Sequence, residues 1–216
     1  RSTLFPYTTL FRSLADGKLF VISGPSGTGK GTICKRLVEN SDMDLSISAT
    51  TREPRPGEAE GENYFFLDRE TFLDEIENGG FLEYAEVYGN FYGTPKQYVL
   101  DRLSEGTDVI LEIDTQGALN IKKTYPDGVL IFILPPSLQE LRDRLTRRAT
   151  ESSEAIERRL SRTKEEISVI GQYDYFIIND DLEDAVRRTE TIIRAEHYRV
   201  SGSVVDLIKK YTEEDQ

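Results

Sequence analysis

The sequence predicts an α/β fold in which a parallel sheet carries helices on both faces. Three observations lead there. Short apolar runs, Leu19–Ser23, Asp108–Ile113, Val129–Leu134 and Tyr175–Ile178, read as buried strands. Longer segments of helical period lie among them, so strands and helices alternate along the chain. The first strand also runs straight into Gly24-Pro25-Ser26-Gly27-Thr28-Gly29-Lys30-Gly31-Thr32, at the point where the first helix begins. In sheets of this kind a ligand sits beyond the carboxyl ends of the strands, where this glycine-rich stretch and Glu112-Ile113-Asp114 both fall.

Taken in order, the first helix is expected over Lys30–Glu39, with Ile33, Leu37 and Val38 on one side. Residues 46–94 then interrupt the alternation. Their short runs, Tyr64-Phe65-Phe66 and Leu82-Glu83-Tyr84, suit a small β-rich insertion with its own helix near Thr71–Asn78. Further helices are expected over Pro95–Glu105, Gln116–Lys123, Ser137–Arg148, Ser153–Ile170 and Leu182–Arg199. Pro135-Pro136 ends the strand Val129–Leu134. The stretch from Gln139 to about Arg162 is helical and laden with arginine. Arg1–Ser13 fits neither a signal peptide nor the helical pattern; it resembles translated sequencing adapter and is set outside the domain, expected over 14–202. The polar tail 203–216 is expected to fray.

The chain has 216 residues and a net charge of −12, which suits one soluble domain and disfavours nucleic acid polymers and anionic lipid as partners. No apolar run approaches a membrane span. The lone cysteine, Cys34, forms no internal disulfide and reads as a small buried residue of the first helix. With His197 the only histidine, a Cys/His zinc site is excluded, as is a Ser-His-Asp triad built on any other histidine. His197 itself is expected to be partly exposed near the end of the last long helix.

Strand, glycine-rich turn and helix together make a phosphate-binding P-loop. Backbone N–H groups from Gly24, Ser26, Gly27, Thr28 and Gly29 are expected to wrap an anion, the helix dipole favours it, and Lys30 adds a full charge. The hydroxyl that usually follows the lysine is replaced by Gly31, which leaves Thr32 as the nearest one. Arg52 and Arg55, on a loop stiffened by Pro54 and Pro56, suit either a bidentate phosphate clamp or pairing with Glu53 and Glu58. Arg142, Arg144, Arg147, Arg148, Arg158, Arg159 and Arg162 suit a solvated helix face from which one or two reach a site. Glu112 and Asp114 are expected on opposite faces of a strand end. One would hold magnesium through water and the other contact a base, or a carboxylate there caps the helix at Thr115.

Together these motifs resemble the guanylate kinase family from about Lys18 to Arg199. They are the P-loop, Ser48-x-Thr50-Thr51-Arg52-x-Pro54-Arg55-x-Gly57-Glu58, Asn63-Tyr64-x-Phe66, Phe81-Leu82-Glu83, Tyr92-Gly93-Thr94, Ile113-Asp114-x-Gln116-Gly117, Pro135-Pro136-Ser137 and Ile178-Asn179-Asp180. The resemblance implies a P-loop NTPase sheet, a GMP-binding insertion over 46–94 and a helical lid over 137–162. It implies Arg52, Arg55, Tyr64 and Tyr92 around the GMP phosphate, Ser48, Glu83, Thr94 and Asp114 around guanine, and Glu58 among the GMP-binding residues. It places Gly24, Ser26, Gly27, Thr28, Gly29, Lys30, Gly31, Thr32 and Asn179 against ATP, with Lys30, Arg52, Arg148 and Arg159 catalytic. Mg2+ would come with ATP, reached through water by Thr32 and Glu112. Arg148-Ala149-Thr150 stands where the family often has Arg-Gly-Thr, whereas a glycine after the lysine also occurs among nucleoside monophosphate kinases. A cytoplasmic enzyme of purine metabolism is implied, using ATP and GMP, with a homo-oligomer left open.

The chemistry of the base agrees. Guanine offers two donors and a carbonyl on its pairing edge. Glu83 would accept both donors, and Ser48 or Thr94 would donate to the carbonyl. Adenine would instead face Glu83 with a ring acceptor. Glu83 thus disfavours a kinase of another monophosphate. The rival reading is an inactive guanylate kinase-like module that binds proteins. Such a module need not keep Lys30 and the arginines, which are all present here.

Overall fold

The computed structural model describes residues 17–87, 89–147, 153–200 and 211–212. Arg1–Ser13 and all of the tail 203–216 but 211–212 lie outside the described residues, as does Arg148. In chain order the elements begin with β1 Leu19–Ser23, α1 Lys30–Glu39, β2 Asp44–Ser46, β3 Ala49–Thr50 and β4 Phe65–Phe66. Next come α2 Arg69–Glu77, β5 Phe81–Val87, β6 Asn90–Pro95, α3 Lys96–Ser104 and β7 Val109–Glu112. They finish with α4 Thr115–Thr124, β8 Val129–Leu134, α5 Leu138–Arg147, α6 Ser153–Ser168, β9 Tyr175–Ile178 and α7 Leu182–Glu196.

Five parallel strands form the main sheet in the order β2-β7-β1-β8-β9. Alternation along β1 splits the core into two layers. Phe20 and Ile22 pack with Ile33, Cys34 and Leu37 of α1 and with Ala185 and Ile193 of α7. Leu19 and Val21 pack on the opposite face with Val99 and Leu103 of α3 and with Ala118 and Ile121 of α4. Each buried Phe, Ile, Leu or Val among these stabilises the fold by about 1.5–3 kcal/mol relative to exposure. Both faces are covered, which is why these strands read as continuous apolar runs.

The short strand β2 was not expected. Asp44–Ser46 is too short and polar to show a period, and it is held by parallel pairing with β7 at the sheet edge. The last helix also stops sooner than Arg199. His197 is its C-cap, and His197 Nε2 lies 2.7 Å from Asp108 Oδ2. The helix expected to reach Ile170 ends at Ser168 and passes into a 3-10 turn over Ile170–Gln172.

The insertion forms a second sheet of order β4-β3-β6-β5. Its core is a stack of rings, with Phe72 centred 4.4 Å from Phe81 and 5.5 Å from Phe91. Arg69 covers this stack, its guanidinium 4.6 Å from the Phe91 ring centre. Asp68 caps α2 by accepting from Thr71 N at 2.8 Å. A third, small cluster of Leu141, Leu145 and Leu160 joins α5 to α6.

Candidate active site

The glycine-rich loop leaves the end of β1 and enters α1 through Gly29, whose φ of 91° is closed to most side chains. A Cβ there would also stand 2.4 Å from Asn179 Nδ2. Two side chains hold the loop in shape. Thr28 Oγ1 donates to Pro25 O at 2.9 Å, and Asn179 Nδ2 donates to Thr28 O at 2.7 Å. Asn179 is itself fixed to the main sheet, its N–H donating to Leu134 O at 2.9 Å. Lys30 folds back over the loop, and its Nζ donates to Gly24 O at 2.7 Å and to Pro25 O at 3.0 Å. Burial lowers the Lys30 pKa, and the carboxylates of Glu112, Glu166 and Asp114 oppose that shift.

A cleft of about 410 Å³ opens at the carboxyl ends of the strands. The loop lines it with Gly24, Ser26, Gly27, Gly29, Lys30 and Gly31, and α1 adds Thr32. Ser48, Arg55, Tyr64, Glu83 and Tyr92 line it from the insertion. Glu112 and Asp114 enter from the end of β7, and Arg159 from α6. Arg159 Nη1 also donates to Ser26 Oγ at 3.0 Å, which ties α6 to the loop. Residues from four separate stretches of chain therefore meet around one space.

Other expected residues stand behind these. Arg52 grips Glu58 in a two-pronged pair, both N–O distances 3.0 Å, and donates to Glu53 O at 2.7 Å. Glu58 also accepts from Arg55 N at 2.8 Å, so one carboxylate aims both arginine positions. The Arg52 guanidinium lies 5.4 Å from the Tyr64 ring centre, and Tyr64 meets Tyr92 edge-on at 6.0 Å. The pairing reading holds for Arg52, while Arg55 lines the cleft. Arg52 is paired with a local acid, and its partner shapes the wall that Arg55 and the tyrosines present.

Glu83 is only 6% exposed, and its Oε1 accepts from Thr94 Oγ1 at 2.8 Å. The Thr94 hydroxyl proton is therefore directed at Glu83 instead of into the cleft. Burial pushes the Glu83 pKa up to about 7, with Asp114 adding to the rise and the Thr94 bond opposing it. Burial likewise raises Glu112, which Lys30 opposes.

The expectation that Glu112 and Asp114 part to opposite faces fails. The strand ends at Glu112, residues two apart in an extended chain share a face, and both side chains line the same cleft. Asp114 is the N-cap of α4, its Oδ1 accepting from Gln116 N at 2.7 Å and Gly117 N at 3.2 Å. The Gly31 position also finds a reason. A Cβ there would approach Glu112 Oε2 to 3.2 Å, so the glycine admits the carboxylate to the foot of the loop.

Sequence reasoning missed Thr163 and Glu166, and it left Arg162 within a general cluster. With Arg159 these recur at i, i+3, i+4 and i+7, one stripe of α6, and all four line the cleft. Counting helical register forward from Arg159 was the signal available. Burial raises the Glu166 pKa against the pull of Lys30 and Arg162.

No metal cluster of three or more His, Cys, Asp or Glu occurs among the described residues, and no described helix is long and apolar enough to cross a membrane. The family model described as guanylate kinase matches residues 16–196. A protein named guanylate kinase from Caldanaerobacter subterraneus subsp. tengcongensis is 55% identical over 200 residues, covering 92% of this chain and 97% of its own. Another of that name from Clostridioides difficile is 53% identical over 199 residues, with the same shares covered. The crystal structure of guanylate kinase from Anaplasma phagocytophilum superposes with a TM-score of 0.73 at 39% identity, covering 86% of this chain and 88% of that one. With the match spanning the loop, the insertion and the arginine helices alike, the chain belongs to the guanylate kinase family.

Proposed function

We propose that this protein transfers the γ-phosphoryl group of ATP to GMP, giving ADP and GDP. One observation carries the reading. A buried carboxylate, Glu83, and a P-loop lysine, Lys30, line the same cleft, the first from the insertion and the second from the loop. The first suits the paired donors of guanine, and the second suits the phosphates of a triphosphate. Ser48 stands at the base end to donate to the guanine carbonyl. Arg55, Tyr64 and Tyr92 hold the GMP phosphate, with Arg52 and Glu58 fixing their wall. The loop amides receive the ATP phosphates, and Arg159 brings a charge to them from α6. Arg148 takes the same part in this reading, outside the described residues.

The chemistry asked of the protein is positioning and charge neutralisation. The acceptor phosphate is already anionic, so no general base is needed. Asn179 and Thr28 act by keeping the loop amides aimed. Glu112 and Thr32 offer hard oxygen donors beside Lys30, which suits Mg2+ held mainly by nucleotide and water. Mg2+ arriving with ATP would supply charge neutralisation to the transferring group, with Glu112 and Thr32 the residues to reach it through water. Closure of α5 and α6 over the cleft would keep water from the γ-phosphate.

The test is an ADP-release assay with ATP and Mg2+, comparing GMP, AMP, CMP and UMP at equal concentration. Turnover with GMP alone is expected. Comparable turnover with AMP would remove Glu83 from the base site. No turnover with any of them, beside GMP binding by calorimetry, would favour the protein-binding module.

A further inference from the structure

Gly117 sits in the first turn of α4, three residues after the N-cap Asp114. Its φ is not among the positive values found at other glycines of this chain, so the backbone does not require a glycine there. Glycine within a helix costs roughly 1 kcal/mol relative to alanine, so this position calls for another reason. Space supplies it. A Cβ on Gly117 would stand 2.7 Å from Glu83 Oε2, 3.2 Å from Glu83 Cδ and 3.3 Å from Ile113 Cδ1. The first distance is shorter than real contacts allow, and the atom it meets is the tip of a side chain. That tip can yield by rotating while the fold stays as it is.

Glu83 is constrained on its other side. Its Oε1 accepts from Thr94 Oγ1 at 2.8 Å, and Thr94 is fully buried on the paired strand β6. The carboxylate is thus caught between a hydroxyl on one side and the bare backbone of α4 on the other. We propose that Gly117 is a positioning residue for nucleobase selection, the missing side chain being what lets the Glu83 carboxylate lie flat against α4 and present its acceptors to the base. This rests on the reading of Glu83 as the guanine acceptor. An added methyl would turn Oε2 out of that plane, and two acceptors set for two donors would lose their register.

Gly117→Ala in the full chain tests this, with Glu83→Gln measured beside it. The expected result for Gly117→Ala is a KM for GMP raised by roughly tenfold or more, a lower GMP-to-AMP ratio of kcat/KM, an unaltered KM for ATP, and a melting temperature equal or higher. A purely structural glycine would move the melting temperature and both substrates together, and that outcome overturns the inference. So does an unchanged KM for GMP in Gly117→Ala while Glu83→Gln raises it, which leaves the reading of Glu83 standing. Should both variants keep wild-type GMP selectivity, the reading of Glu83 falls and the inference with it.

Discussion

The two sheets line the cleft by different means. At the main sheet the lining belongs largely to the glycine-rich loop, braced from behind by Thr28 and Asn179. At the second sheet the facing groups are side chains, each aimed by another side chain: Glu83 by Thr94, and the arginine loop by Glu58. The cores differ in the same sense. The main sheet is buried on both faces by helices, whereas the second sheet rests on a three-ring stack around Phe72. A backbone site reads charge and shape that every nucleotide phosphate shares. A side-chain site can tell one base from another, and it loses that ability when one atom moves.

The comparison can be broken most forcefully at the ring stack. Phe72→Ala is expected to cost about 3–5 kcal/mol and to weaken GMP binding with less effect on ATP binding. Calorimetry that finds both affinities lost in step would show that the sheets act as one unit. Next comes Lys30→Ala, expected to lower kcat by roughly 10²–10³-fold with little change in melting temperature. Unchanged turnover would remove Lys30 from the transfer.

A smaller effect sharpens the difference at the base end. Glu83→Gln should cut the GMP-to-AMP ratio of kcat/KM by roughly tenfold to a hundredfold, since an amide turns a donor toward guanine's donors.

The same carboxyl gives a pH signature in the protein measured without nucleotide. Its pKa is raised from 4.5 to about 7, so the folded state holds a proton that the unfolded state has released. The stability this contributes is fully present below about pH 4.5 and is lost as the pH rises through about 7. Melting temperatures of wild type minus Glu83→Gln should therefore fall between those limits, and a flat difference would place Glu83 in a wetter setting. If Glu83 accepts from guanine as proposed, GMP binding is expected to run the other way, tightening as the pH rises through this range because guanine's donors favour the carboxylate. The smallest effect is Asp68→Ala, where loss of the α2 cap is expected to cost about 1 kcal/mol without touching either KM.

The main sheet was legible in the sequence because its signals are local. Leu19–Ser23, the glycines and Lys30 are contiguous, and burial on both faces leaves continuous apolar runs. Glu83 was a different matter. Nothing near it in sequence marks a base site, and its role came through the resemblance. Thr94, Gly117 and Asp114 surround it only after three elements have packed together. The bracing of the loop by Asn179 was illegible for the same reason, since 151 residues separate it from Thr28. At Glu112 and Asp114 the shortfall lay in the reasoning, because strand alternation already put both on one side.

Lys30 carries a last consequence. Its ammonium is already fastened to Gly24 O and Pro25 O. A free lysine side chain loses up to about 2 kcal/mol of rotamer entropy when it is pinned. Here that loss is met when the chain folds, so on the proposed reading an arriving triphosphate would find a cation that no longer has to be stilled.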